Sequence, residues 1–141
     1  MSGQLKVNTK TAELLTTFHD PCYLGRHNDV YDDPRQALEN AGVDQVEMKQ
    51  TKASSFCCGA GGGQMWKEES GTTRVNVERT RQALETGAEQ IAVGCPFCKT
   101  MMQDGVKDHG KAETVKVRDV AEIIADRLEA DAATAAAAQS V

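Results

Sequence analysis

The chain has 141 residues, enough for one ordinary domain with a real core. Apolar residues make up 40% and the formal charge is −5 with no basic stripe, which argues against a nucleic-acid partner. The opening MSGQLKVNTK lacks the apolar core of a signal peptide, and no apolar run approaches the roughly 20 residues of a membrane span. The expected compartment is a reducing cytoplasm, where an odd set of five cysteines points to metal binding or catalysis rather than disulfides.

In chain order, residues 1–10 read as a leader, 11–130 as the domain and 131–141 as a flexible alanine-rich tail. ELLTTFH (13–19) is the first expected strand. DPRQALENAG follows with helix punctuation: Asp33 as N-cap, Pro34 at the first helical position and Gly42 past the end. VDQVEM (43–48) is a second expected strand, and the loop SSFCCGAGGGQMW comes next. Residues 73–88 form a helix with Val77 and Leu84 on its apolar face. QIAVG (90–94) is a third strand, and Pro96 opens the helix PFCKTMMQDGVK. ETVKV (113–117) is a fourth strand. In the helix 119–130, Asp119 and Glu122 form a capping box, and Val120, Ile123, Ile124 and Leu128 share a face. Strands alternating with helices predict an α/β domain: a small parallel four-stranded sheet flanked by helices.

In such sheets ligands collect beyond the carboxyl ends of the strands. Cys22 follows the first expected strand, Cys57 and Cys58 the second, and Cys95 and Cys98 the third, so all five converge on one rim. None faces the core from the middle of a predicted element, where an inert cysteine would sit. Gly59, Gly61, Gly62 and Gly63 permit positive φ and close backbone approach, with N–H groups free to donate to sulfur. The aromatic residues Phe18, Tyr23, Phe56, Phe97 and Trp66 lie near the cysteines, as a collar that excludes water or as ordinary core. His19 and His27 read as hydrogen-bonded structural residues, since thiolates already suffice as ligands. Arg26 is placed to offset negative charge at the site. Met65, Met101 and Met102 read as packing residues.

Three chemistries remain open on the residues alone. Five thiolates suit an iron-sulfur cluster. Structural zinc takes four and leaves one over. Cys95-Pro-Phe-Cys98 between strand and helix matches a glutaredoxin-like thiol-disulfide motif, although no later proline is available for that fold. GAGGGQ lacks the spacing of a nucleotide loop.

Cys22 stands thirty-odd residues before Cys57-Cys58-Gly59, and a similar gap leads to Cys95-x-x-Cys98. With the words HDPCYLGRHN, FCCGAGGG and CPFCKTMM, this pattern resembles the CCG, or cysteine-rich, domain of the heterodisulfide reductase B-subunit family. The flanking words are most similar to the C-terminal domain of iron-sulfur oxidoreductases linked to electron-transfer flavoprotein and quinone. The resemblance implies a [4Fe-4S] cluster, noncubane in that B subunit, on Cys22, Cys57, Cys58, Cys95 and Cys98. It implies electron transfer between a flavoprotein or ferredoxin-type donor and a quinone or disulfide acceptor. The B subunit carries two such motifs, and membrane-associated relatives add ferredoxin-like clusters and membrane helices. One motif alone implies a redox domain or subunit of a larger oxidoreductase, cytoplasmic and brought to the inner membrane face by other parts.

Overall fold

The computed structural model describes residues 14–68 and 73–128. The elements are β1 (Thr16–Phe18), α1 (Gly25–Asn28), α2 (Asp32–Asn40), α3 (Val75–Glu85), β2 (Gln90–Val93), α4 (Pro96–Asp108), β3 (Lys116–Asp119) and α5 (Val120–Ala125). Short 3-10 turns cover Lys52–Ser54 and Gly61–Trp66. The expected leader, the tail and residues 129–130 of the last expected helix lie outside the described residues.

The sheet is parallel, in the order β1-β2-β3, with Thr17 level with Ile91 and Ile91 level with Val117. It has three strands, not four. The segment expected as a second strand makes a single parallel bridge, Thr16 to Gln45, on the outer edge of β1. The ladder stops there because the segment's polar side chains turn to Arg35 instead: Gln45 donates to its carbonyl, and the Glu47 carboxylate accepts from its guanidinium. The chain thus runs outward from β1, then returns past it to β2. Between β1 and β2 the direction of winding reverses, which opens a crevice beyond their carboxyl ends.

Alternation along β2 divides the interior. Ile91 and Val93 join Met101, Met102 and Val106 of α4 and Ala83 of α3 in one apolar cluster. Ala92 joins Phe18, Leu38 of α2 and Ile123 of α5 in the other. Helices therefore cover both faces, as a buried parallel sheet requires.

Several helix details differ from expectation. α2 starts at Asp32 rather than after an Asp33 cap, with Tyr31 before it and no side-chain cap bond. Asp32 is paired instead with Lys52. The buried face of α3 is polar: Asn76, Arg79, Thr80 and Gln82 line it with Ala83, while Val77 and Leu84 are half-buried. The capping box at α5 is present, with Asp119 accepting from Ala121 and Glu122 reaching back to the Asp119 N–H.

The polar face of α3 packs against α4 at a glycine. A methyl group at Gly105 would overlap the Thr80 hydroxyl and come within 2.9 Å of the Asn76 carbonyl oxygen. Gly105→Ala gains about 1 kcal/mol of helix propensity but forces the two helices apart, a change that costs ~1–3 kcal/mol in packed interiors. A net loss of up to about 2 kcal/mol is expected in urea unfolding, partly recovered when Thr80→Ala is added. A stabilised Gly105→Ala protein would show that the helices are not in the contact described.

Candidate metal centre

The crevice between β1 and β2 holds a narrow cleft lined by His19, Asp20, Cys22, Cys57, Cys58 and Cys98, among others. Cys95 is the N-cap of α4, and its thiol interacts with that of Cys98. The structure thus brings four of the five cysteines into one cleft and sets the fifth beside it. All five are free thiols. Cys22 is exposed at the mouth, and Cys57 and Cys95 are half-buried. Cys58 and Cys98 are buried, at 6% and 2% exposure, and belong to the apolar cluster, contrary to the expectation that no cysteine would face the core.

Local structure explains each position. His19 follows the last residue of β1, and its N–H still joins the ladder to the Ala92 carbonyl. Pro21 has no N–H to continue it, so the chain turns out through Cys22. Gly59 takes φ 86°, a left-handed conformation that turns Cys58 inward, and its N–H donates to Cys57 Sγ at 3.2 Å. Gly62 and Gly63 also have positive φ, but they and Gly61 face open space and do not line the cleft.

Two loops are tied together beneath the cleft. Asp20 accepts both Arg35 Nη1 and Nη2, at 2.7 and 2.8 Å, and the Lys52 backbone N–H at 2.7 Å. Arg26 Nη2 donates to the Ser55 carbonyl at 2.7 Å. The Cys22 turn and the Cys57-Cys58 loop are thereby held against each other. Burial would raise the Asp20 pKa, but Arg35 and the Lys52 N–H outweigh it and hold the carboxylate below its usual range.

The inner wall carries the sharpest electrostatics. His19, Cys58 and Cys98 place their ligand atoms within 4.8 Å of one another. Cys98 Sγ donates to Cys58 Sγ across 3.5 Å. That bond, with donors from His19 and the Ala60 N–H, overcomes burial and brings the Cys58 pKa down to about 4. Cys98 keeps its proton for the same bond, and burial adds to this, so its pKa is raised. Burial lowers the His19 pKa, so the ring is neutral. Behind it lies Arg79, fully buried. Arg79 Nε donates to His19 Nδ1 at 2.9 Å, and Nη1 donates to the Gln50 carbonyl and Gln82 Oε1.

This His19–Arg79 arm was not foreseen from the sequence. His19 sits next to the Cys22 turn, but Arg79 lies on a helix whose buried face reads from Val77 and Leu84 alone. The aromatic collar also differs. Phe18 is buried on the far face of the sheet, with Arg35 over its ring. Tyr23, Trp66 and Phe97 are exposed, and only Phe56 lines the cleft.

The sequence profile of the cysteine-rich domain family (CCG) matches residues 16–103, which carry all five cysteines. The chain belongs to this family. It is 47% identical over 125 residues to a Bacillus subtilis protein named "Probable iron-sulfur-binding oxidoreductase FadF", covering 88% of this chain and 18% of that one. It is 46% identical over 129 residues to the EtfAB:quinone oxidoreductase of Syntrophomonas wolfei, covering 86% of this chain and 18% of the relative. It is 42% identical over 113 residues to the D subunit of the dihydromethanophenazine:CoB–CoM heterodisulfide reductase of Methanosarcina barkeri, covering 79% and 27% respectively. The chain thus spans about a fifth to a quarter of the length of these relatives. Among the described residues no helix is long and apolar enough to cross a membrane.

The thiol pair makes stability depend on pH. Between about pH 4 and pH 9 the folded metal-free domain holds a Cys58 thiolate where the unfolded chain holds a thiol. The unfolded state then binds more protons, so stability rises with pH across that window and is lost as pH falls toward 4. His19, lowered from 6.5, adds a loss in the same direction below that value. Cys98, raised above 9, acts oppositely in alkali, where only the unfolded chain loses its proton. Urea midpoints of the reduced, metal-free protein are expected to rise from about pH 5 to about pH 8.5 and to fall beyond about pH 9.5. A flat profile that Cys58→Ser leaves unchanged would refute the thiolate assignment.

Proposed function

We propose that this domain holds an iron-sulfur cluster on Cys22, Cys57, Cys58, Cys95 and Cys98 and serves as an electron-transfer module of a larger oxidoreductase. The observation that carries the reading is the buried Cys98 thiol–Cys58 thiolate pair at 3.5 Å, in one cleft with Cys22 and Cys57. The donor set fits the group: thiolates are the usual iron-sulfur ligands. A further sign is Arg79 Nη2, buried with no partner among the described residues, which leaves positive charge beside the thiols for an anionic group to meet. When bound, the cluster supplies one-electron chemistry.

The chain's own residues hold and tune that site. The Gly59 N–H on Cys57 and the Ala60 N–H on Cys58 stabilise charge on the two sulfurs. Asp20 and Arg35 keep the two cysteine loops in register from below. The positive φ at Gly59 aims the Cys-Cys pair. Electrons pass between a flavoprotein or ferredoxin-type donor and a quinone or disulfide acceptor; the relatives' names support the acceptor side, in that they state quinone and heterodisulfide. Those partners belong to the rest of the polypeptide or to other subunits, which bring this cytoplasmic domain to the membrane face where quinone is found.

One observation favours a second reading. The cleft has room for one water-sized body, with about 10 Å³ open to its centre, which is closer to the size of a single ion such as zinc than to that of a cluster. The glutaredoxin-like reading has less support, because Cys98 spends its proton on Cys58, outside the Cys-x-x-Cys pair.

Anaerobic reconstitution with iron and sulfide separates these readings. The expected product binds both, absorbs in the visible and is paramagnetic when reduced, and Cys58→Ser or Cys98→Ser loses most of the iron. Exclusive uptake of zinc by the wild type would overturn the cluster. So would glutathione-dependent disulfide reduction that survives Cys58→Ser.

A further inference from the structure

Three buried groups, His19, Cys58 and Cys98, have the spacing of a metal-ligand set. By distance alone, His19 would be counted as a ligand. Its hydrogen bonds argue otherwise.

Arg79 meets His19 Nδ1 at 2.9 Å through Nε. A guanidinium can only donate, so Nδ1 must be the acceptor. In a neutral imidazole the proton then resides on Nε2. The ring is 1% exposed and Arg79 0%, so bulk water does not compete for either nitrogen. A protonated Nε2 has no lone pair for a metal. It has an N–H, and the Cys58 sulfur is the acceptor in reach: a ring nitrogen and that sulfur lie within 4.8 Å, and His19 is among the donors that lower the Cys58 pKa. Arg79 is itself fixed by the Gln50 carbonyl and Gln82 Oε1, and Gln82 Nε2 donates in turn to Gln50 Oε1 at 2.6 Å. The guanidinium therefore cannot swing away to free Nδ1 without breaking bonds in the interior.

We infer that His19 is a positioning residue for the iron-sulfur site: Arg79 fixes its Nε2–H tautomer, and that N–H is held on the Cys58 sulfur in place of ligation by the ring. This rests on the cluster reading given above. A hydrogen bond to a ligand sulfur favours the more electron-rich state, and so raises the reduction potential. The buried charge of Arg79 acts in the same sense. His19 is thus a setting device for the potential, one step removed from the metal.

The test has two readouts on the full chain. In the reduced, metal-free protein at neutral pH, two-bond proton–nitrogen correlation is expected to show His19 neutral and protonated at Nε2. Arg79→Gln is expected to weaken that preference. In the reconstituted protein, pulsed EPR of the paramagnetic state is expected to show no strongly coupled histidine nitrogen. Redox titration is expected to give a lower midpoint for His19→Leu and Arg79→Gln, with His19→Gln, which keeps a donor, nearer the wild type. A proton on Nδ1, a strongly coupled nitrogen or an unmoved midpoint in a folded His19→Leu protein would overturn the inference. If His19→Leu fails to fold, the wild-type tautomer and nitrogen coupling decide it. A wild type that takes up no iron counts against the cluster reading alone, and the Arg79–His19 arrangement then stands or falls on the tautomer.

Discussion

A full positive charge lies at the centre of this small domain. Arg79 is wholly buried, and its hydrogen-bond partners are neutral: an imidazole, a backbone carbonyl and a glutamine side chain. Taking such a charge out of water costs several kcal/mol even after relaxation. Burial accordingly brings its pKa down to about 10, while the negative charges of Asp20 and Glu47 oppose that fall. The domain tolerates the cation because the thiol site beside it is negative. The neutral, oriented His19 and the Cys58 thiolate follow from that charge balance. Without the thiolate, the carboxylates of Asp20 and Glu47 would be left to offset the Arg79 charge.

The second buried cation has the opposite arrangement. Arg35 is met by two carboxylates, Asp20 and Glu47, and its own charge is held firmly. Asp20 follows His19 directly, so one end of β1 sends consecutive side chains to the two arginines. His19 takes the sulfur side through Arg79, and Asp20 takes the loop side through Arg35. This explains why a strand of three residues suffices at the centre of the site. The pairing that a longer ladder would have supplied is replaced by side-chain bonds. The same bonds pull Gln45 and Glu47 away from a fourth strand.

Periodicity and punctuation were enough to expose the parallel α/β layout, because Pro96, Gly42 and the Asp119–Glu122 pair act locally. The cysteine spacing was equally legible, since thiols at the ends of successive strands meet wherever the strands are parallel. Three features were hidden. The second expected strand, 43–48, has the composition of a strand, yet it makes a single bridge to β1 and turns its polar side chains to Arg35. The buried face of α3 is polar, so an apolar pattern points to Val77 and Leu84 and misses Asn76, Arg79 and Thr80. His19 was given a structural role on the ground that thiolates already suffice as ligands. The residue nevertheless reaches the site, since its ligand atom lies within 4.8 Å of the Cys58 and Cys98 sulfurs. A signal for Arg79 was present in hindsight: an arginine one turn after Asn76, on a face where Thr80 meets a glycine of the next helix, leaves no room for solvent.

The site is built asymmetrically, and this bears on how electrons reach it. On the inner side, Cys58 and Cys98 are sealed by the sheet, by α3 and α4 and by the Arg79–His19 arm. On the outer side stand the exposed Cys22 and the exposed rings of Tyr23 and Phe97, next to Cys22 and Cys98 in the chain. The Cys22 and Cys95 segments adjoin, since a methyl group at Gly94 would lie 3.6 Å from both Leu24 and Pro21. Electron transfer falls steeply with distance, so on the proposed reading the inner wall insulates and the Cys22 side conducts. The hydrogen-bond donors described lie on the inner and loop walls, where burial strengthens them. On that reading the potential would be set from the side that water does not reach, and exchange would take place on the side that a partner can.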